Sequence, residues 1–147
     1  PRSVYQNRFC MQFSNIEWQE ITTMLDEMQA TPYPIDDYFT TPDCQPDGYS
    51  NVVKSPIPHI VADDPSKRVK FLDILWLYYS KKRKEPDRFT QIVNAKNTLG
   101  ETLLDYLESM RLNDKYNEGL QRNADIIIAF ACAHGAMYSV YKDKRCP

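Results

Sequence analysis

Glycine is scarce in this 147-residue sequence, with 4 residues in all, and histidine scarcer, with 2. So few glycines leave no Gly-rich loop to cradle a phosphate, and only His59 and His134 are available as imidazole bases. No long apolar run exists either. The longest, Ala124 to Ala133, is interrupted by Asp125 and falls well short of the ~20 residues that cross a bilayer. No C-x-x-C pair occurs, which argues against a closed zinc site. The charges nearly cancel: 18 basic and 20 acidic residues leave a formal charge of −2, so the broad basic field that drives non-specific nucleic-acid binding is missing. With 42% hydrophobic and 26% charged residues, the composition is that of an ordinary folded domain, and the length suits one.

Proline, tyrosine and paired cysteine are what the chain does have: 10 Pro, 10 Tyr and 4 Cys. The chain starts at Pro1 without an apolar leader, and the expectation is of a removed secretory signal. Cys10, Cys44, Cys132 and Cys146 fit an oxidising compartment, periplasmic or extracellular, with the cytoplasm as the alternative. Four cysteines allow three pairings. In the set Cys10 with Cys44 and Cys132 with Cys146, each bridge ties an irregular segment to a nearby helix; sequence alone leaves the other two open.

Hydrophobic spacing predicts helices and almost no strand. Ile16, Ile21, Met24, Leu25 and Met28 share a face of a helix over about residues 15 to 29, with Ser14 and Glu17 at capping-box spacing. Residues 31–58 hold Pro32, Pro34, Pro42, Pro46, Pro56 and Pro58 and read as one long Pro-rich loop. Asp64 and Pro65 open the next helix, whose broad stripe is Phe71, Leu72, Ile74, Leu75, Tyr78 and Tyr79. The basic run Lys81 to Lys84 closes it, favourably placed against the helix dipole. A third helix is expected from Glu101 to Leu112, burying Leu103, Leu104, Leu107 and Met110, with Thr98 and Glu101 again at capping-box spacing. A fourth, from Arg122 to Tyr138, is apolar almost all round and so predicted to be covered on several sides.

At Val93 a motif emerges. The run Val93-Asn94-Ala95-Lys96-Asn97-Thr98-Leu99-Gly100-Glu101-Thr102-Leu103-Leu104-Asp105 resembles an ankyrin repeat junction, and Asp125 to Ala136, ending His134-Gly135-Ala136, is similar to its second helix with the closing turn. Ser55-Pro56-Ile57-Pro58-His59-Ile60-Val61-Ala62 resembles a degenerate second copy with one extra residue, and Leu72 to Tyr79 then supplies its outer helix. Ser55 and Thr102 stand 47 residues apart, against about 33 in an ordinary repeat, which places an insertion between Tyr79 and Thr90. The resemblance implies an all-α fold of stacked helical hairpins, a short ankyrin-like solenoid in one domain over 1–147. That domain comprises an N-terminal helix (1–30), the Pro/Asp/Tyr-rich loop (31–58) and two degenerate repeats (59–147).

It also implies protein binding without catalysis and without a cofactor. The candidate contacts lie in the acidic loop, Tyr33, Asp36, Asp37, Tyr38, Asp43, Asp47 and Tyr49. No core obliges these tyrosines in a loop of this kind, and the aspartates suit a basic partner surface. A short, disulfide-capable chain of this kind resembles the immunity proteins that bacteria keep in the periplasm against secreted toxins. Two alternatives stand beside that reading: an ankyrin-like fragment of an effector or cytosolic scaffold protein, and a small hydrolase using Cys44 or Cys132 with His59 or His134. Cys132, His134 and Cys146 also make a weak soft-ligand set for a metal. The sequence names neither partner nor oligomeric state.

Overall fold

A computed structural model describes residues 2–11, 16–32, 34–44, 54–60, 65–113 and 118–147. The described chain is mostly helical. In chain order come α1 (Arg2–Met11), α2 (Trp18–Gln29), α3 (Ile35–Thr40), α4 (Ile57–Ile60), α5 (Pro65–Leu77), a π-helical turn (Tyr78–Lys82), α6 (Pro86–Val93), α7 (Leu103–Asn113) and α8 (Glu118–Ala133). No strand occurs among the described residues; the only β-type pairing is an isolated bridge in which Cys44 and Ser55 exchange backbone hydrogen bonds of 2.9 and 2.7 Å.

One core runs through the molecule. In the N-terminal half it is built on three phenylalanines, one from each of α1, α3 and α5. Phe9 lies 5.8 Å from Phe39 and 5.7 Å from Phe71 between ring centroids. All three are fully buried, and each such side chain is worth roughly 1.5–3 kcal/mol of apolar burial. Ile21, Met24, Leu25 and Met28 of α2 line the same core, as their spacing predicts. The capping box expected there is not formed as read: Ser14 lies outside the described residues, and Glu17 precedes the helix without a side-chain cap.

The Pro-rich segment is not a continuous loop. Ile35, Tyr38 and Phe39 form the buried face of α3, an apolar i, i+3, i+4 pattern that six residues are enough to use. Likewise, the stretch Tyr79 to Thr90, where an insertion was expected, runs into α6, which starts at Pro86 and buries Phe89, Ile92 and Val93. Between them the main chain widens into the π-turn, where the Arg83 N–H donates to the Tyr78 carbonyl. Both adjacent tyrosines are thereby buried, Tyr78 donating to Gln29 and Tyr79 to Asp36. The basic run that follows pairs with acids: Lys82 reaches Asp26 at 2.6 Å and Arg83 reaches Glu85 at 3.1 Å.

In the C-terminal half α8 packs on both α5 and α7, and α4 touches α7. α8 ends at Ala133, five residues short of the expected Tyr138, because Gly135 takes a left-handed φ of +92°. The Ala136 N–H then closes on the Ala131 carbonyl at 3.0 Å and Gly135 on Cys132 at 3.2 Å, the paired bonds of a glycine-terminated helix. Nor is α8 covered on all sides. Ile126 is 58% exposed, and Ala129 and Ala133 are also exposed, since its neighbours α5 and α7 lie against only part of its circumference.

Candidate partner-binding surface

Only part of the acidic loop is as its sequence suggests. Tyr33, Asp47 and Tyr49 lie outside the described residues. Tyr38 is a core residue, 2% exposed, so its place is in the packing of α3 and not on a contact surface. Asp36 has both carboxylate oxygens engaged, accepting from the Tyr79 hydroxyl at 2.7 Å and from Arg88 at 2.6 Å. Burial, with the hydrogen bond and negative charge of Asp36 adding to it, pushes the Tyr79 hydroxyl pKa well up, so the pair stays a neutral donor on a carboxylate. Asp37 is half-buried and Asp43 exposed, and these two are the loop's described acids still open to solvent.

The cysteines pair as the irregular segments require. Cys10 and Cys44 have Cα atoms 5.4 Å apart, Cys132 and Cys146 5.6 Å, and no cysteine is left free. The first bridge ties α1 to the end of the α3 segment. The second ties the last turn of α8 to the C-terminal segment. A bridged sulfur is neither a thiolate nucleophile nor a metal ligand, which removes Cys44 and Cys132 from the hydrolase arrangement and Cys132 and Cys146 from the metal set. The histidines are also enclosed, although the buried His59 Nδ1 has no hydrogen-bond partner among the described residues. His59 is buried, its Nε2 3.1 Å from the Ala95 carbonyl and its ring stacked on Tyr106. Burial pushes its pKa down to about 4, and the charge of Arg68 adds to this against the opposing pull of the Ala95 carbonyl and Asp105. The His134 ring packs among Trp76, Phe89 and Phe130, with centroids 4.3 to 5.8 Å away.

What the fold builds with more care is a row of turns. The segment 94–102 lies between two others and bonds to both. Toward the N-terminal side, the Thr98 N–H donates to the Lys54 carbonyl at 2.9 Å and the Lys54 N–H returns a bond to the Thr98 hydroxyl at 2.9 Å. Toward the C-terminal side, the Thr102 hydroxyl donates to the Met137 carbonyl at 2.8 Å, and the Met137 N–H donates to Asn94 at 2.8 Å. Inside the middle turn, Asn97 Oδ1 accepts from the N–H groups of Leu99 and Glu101, while its amide donates to the Glu101 carboxylate. Gly100 supplies the left-handed φ of +79° that closes the turn.

Asp105 locks the row. Fully buried, it caps α7 reciprocally with Thr102: Oδ2 accepts from the Thr102 N–H at 2.9 Å, and the Asp105 N–H donates to the Thr102 hydroxyl at 3.3 Å. The capping pair is therefore Thr102 with Asp105. Of the expected pair, Thr98 instead serves Lys54, and Glu101 serves Asn97. The same carboxylate also accepts the N–H groups of Ser139, Val140 and Tyr141 at 3.1 to 3.3 Å. Burial raises its pKa, but the bonds from Thr102, Val140, Ser139 and Tyr141 outweigh that and hold it below the ordinary carboxylate value. Buried Glu108 does similar work one turn on, pairing with Arg111 and, at 3.4 Å, with Lys144.

Rigid backbone thus carries exposed apolar side chains: Leu99 is 58% exposed, Met137 61% and Val140 50%. The same turns and the segment after them carry the exposed cations Lys54, Lys96, Lys142, Lys144 and Arg145. Sequence reasoning passed over these residues because each is an unremarkable loop position; only the bonds between segments bring them onto adjacent turns. The chain matches no known protein-family model, no curated protein and no solved structure.

Proposed function

We propose that this chain is a non-enzymatic protein-binding module with an ankyrin-like stack, serving as a periplasmic immunity protein that inhibits a cognate secreted bacterial toxin. The observation that carries the reading is the row of turns. Side-by-side segments fixed by buried Asp105 and by Asn97 hold Leu99, Met137 and Val140 with half or more of their surface in water. Apolar residues displayed on backbone that is already ordered are what a protein interface needs, because little conformational freedom is lost on binding.

The order of packing supports the ankyrin-like part: α4 against α7, α5 against α8, and turn against turn in the same sequence. Two cysteine pairs within bridging distance support an oxidising compartment. Co-expressing the chain with a toxic enzyme encoded beside it, and measuring both survival and complex formation by size-exclusion chromatography, tests the reading. Protection with a stable complex is expected. Unprotected cells and separate elution with every neighbouring candidate would sink it. Four titratable thiols in unfolded protein from the native source would overturn the compartment.

A further inference from the structure

The turn-bearing edge ends in a concavity. After Gly135 the chain folds back on itself, and a cavity of about 500 Å³ opens between the end of α8 and residues 144–146, lined by Cys132, Ala136, Met137, Tyr138, Lys144 and Arg145 among others. Its size is that of a site for a small ligand or a few side chains. The inner surface is apolar: Ala136 is buried beneath it, and the Cys132–Cys146 bridge forms part of its wall. The rim is cationic. Lys144 and Arg145 line it and Lys142 is close by in sequence, with exposed Asp143 the one acid in that stretch.

Lys144 also pairs with Glu108 at 3.4 Å. Arg145 spends one nitrogen on the carbonyls of Lys142 and Lys144, at 2.6 and 2.9 Å. A guanidinium has five N–H donors, and no carboxylate pairs with Arg145 among the described residues. The frame is ordered from three directions: the Cys132–Cys146 bridge, the contact of Cys146 Sγ with the Ala136 carbonyl at 3.3 Å, and the Asp105 bonds to residues 139–141.

We propose that this cavity is a docking pocket for an acidic segment of the protein partner. An aliphatic or aromatic side chain enters against Met137 and the Cys132–Cys146 bridge, and carboxylates beside it meet Lys144 and Arg145. The proposal rests on the protein-binding reading above and gives it a place and a chemistry. Charge decides the occupant, since a basic segment would meet like charge at the rim. Continuity favours a protein, because Met137 belongs to both the pocket and the exposed apolar edge that runs on to Leu99 and Val140.

The test uses the full, oxidised chain as bait for a phage-displayed library of random linear peptides. Enriched peptides are then synthesised and titrated by fluorescence anisotropy. The expected peptides place a large apolar residue next to Asp or Glu. Met137→Asp, and separately Lys144→Gln with Arg145→Glu, weaken them by roughly tenfold or more, the scale of a central interface contact. Asp43→Lys leaves affinity unchanged. Circular dichroism melts confirm that these surface variants stay folded, and Lys142→Glu provides a further rim change away from Glu108. Failure to enrich any peptide, enrichment of basic peptides, or binding indifferent to Met137→Asp and to the rim variants would overturn the pocket. Peptides that instead lose affinity only with Asp43→Lys would do so while leaving the protein-binding reading intact. Pocket binding by a chain that protects no cell would overturn the immunity assignment and leave the pocket standing.

Discussion

Replacing Asp105 by Asn keeps the shape of a fully buried side chain and turns one of its two acceptors into a donor. In the native chain Oδ2 accepts from the Thr102 N–H at 2.9 Å and from the Val140 N–H at 3.1 Å, Ser139 reaches both oxygens at 3.1 Å, and Oδ1 accepts from Tyr141 at 3.3 Å. The oxygen kept by Asn serves the Thr102 and Val140 side, while its NH₂ group confronts the Tyr141 N–H. A hydrogen bond to a charged group contributes about 1.5–3 kcal/mol against about 1 for a neutral one. Three backbone bonds weakened in this way, with a fourth donor orphaned, give a loss of about 3 kcal/mol, held to that size because residues 139–141 can turn to water. For a chain of this length the melting temperature falls by roughly 6–12 °C. Amide exchange measured by NMR should accelerate first at Ser139, Val140 and Tyr141, before the amides of α2. The native chain also carries an acid dependence that the Asn variant lacks. Since the Asp105 pKa is held below its unfolded value, its stabilisation is complete above about pH 4 and disappears as the pH falls through the folded value. A variant melting within about 1 °C of the native chain, where several degrees are expected, would refute the assignment of this carboxylate as the lock. So would native amides at 139–141 that exchange as fast as the variant's.

His59 sets a second pH dependence, near neutrality. With its pKa at about 4 in the folded chain and about 6.5 unfolded, its contribution is whole above about pH 6.5. It declines at about 1.4 kcal/mol per unit as the pH drops, so urea unfolding at pH 5 should show a loss of about 2 kcal/mol relative to pH 7, and His59→Gln should flatten that slope. Converting Cys132 and Cys146 together to Ser reopens a loop of sequence separation 14 and should cost about 3 kcal/mol. The Cys10 and Cys44 pair, at separation 34, should cost about 4. Peptide mapping without reductant should find those two links and no crossed ones. Gly100→Ala and Gly135→Ala both place a side chain at positive φ, a strain of about 1–2 kcal/mol. Only at Gly135 would the new Cβ also meet Thr90 Cγ2, at 3.0 Å, so it should melt lower, and equal melting temperatures would contradict this.

Helices long enough to repeat their pattern were legible in the sequence. Ile21, Met24, Leu25 and Met28, and likewise Leu103, Leu104 and Leu107, bury as their spacing says, while Met110, expected on the same face, is only half-buried. Shorter ones were obscured by their surroundings. Ile35, Tyr38 and Phe39 carry a helical signature, and Pro34 with Asp36 and Asp37 is a reasonable helix start, but the density of neighbouring prolines hid α3 and made Tyr38 look like surface. Pro86, Phe89, Ile92 and Val93 of α6 were passed over for the same reason of length. Composition misled in the opposite direction at Ile126, because an apolar residue on an outer helix has no obligation to be covered. The cysteine pairing found is the one that ties each irregular segment to a nearby helix, but the sequence alone left the two crossed pairings open. At the candidate surface, Gly100 and Thr102 were readable as a turn and a helix start. The role of Asp105 was not, since three of its donors come from residues 34 to 36 positions away, and nothing local in the sequence announces them.

The two disulfides are consecutive along the chain, first cysteine with second and third with fourth. Among these four cysteines, a polypeptide that enters an oxidising space N-terminus first can, until Cys132 arrives, join only Cys10 to Cys44. By the time Cys132 and Cys146 emerge, the earlier thiols are already consumed. The crossed pairings open to a denatured, fully reduced chain are therefore closed to one that is oxidised as it is delivered. Vectorial oxidation should reach the native links without an isomerase, whereas refolding from reductant should pass through scrambled species and benefit from one.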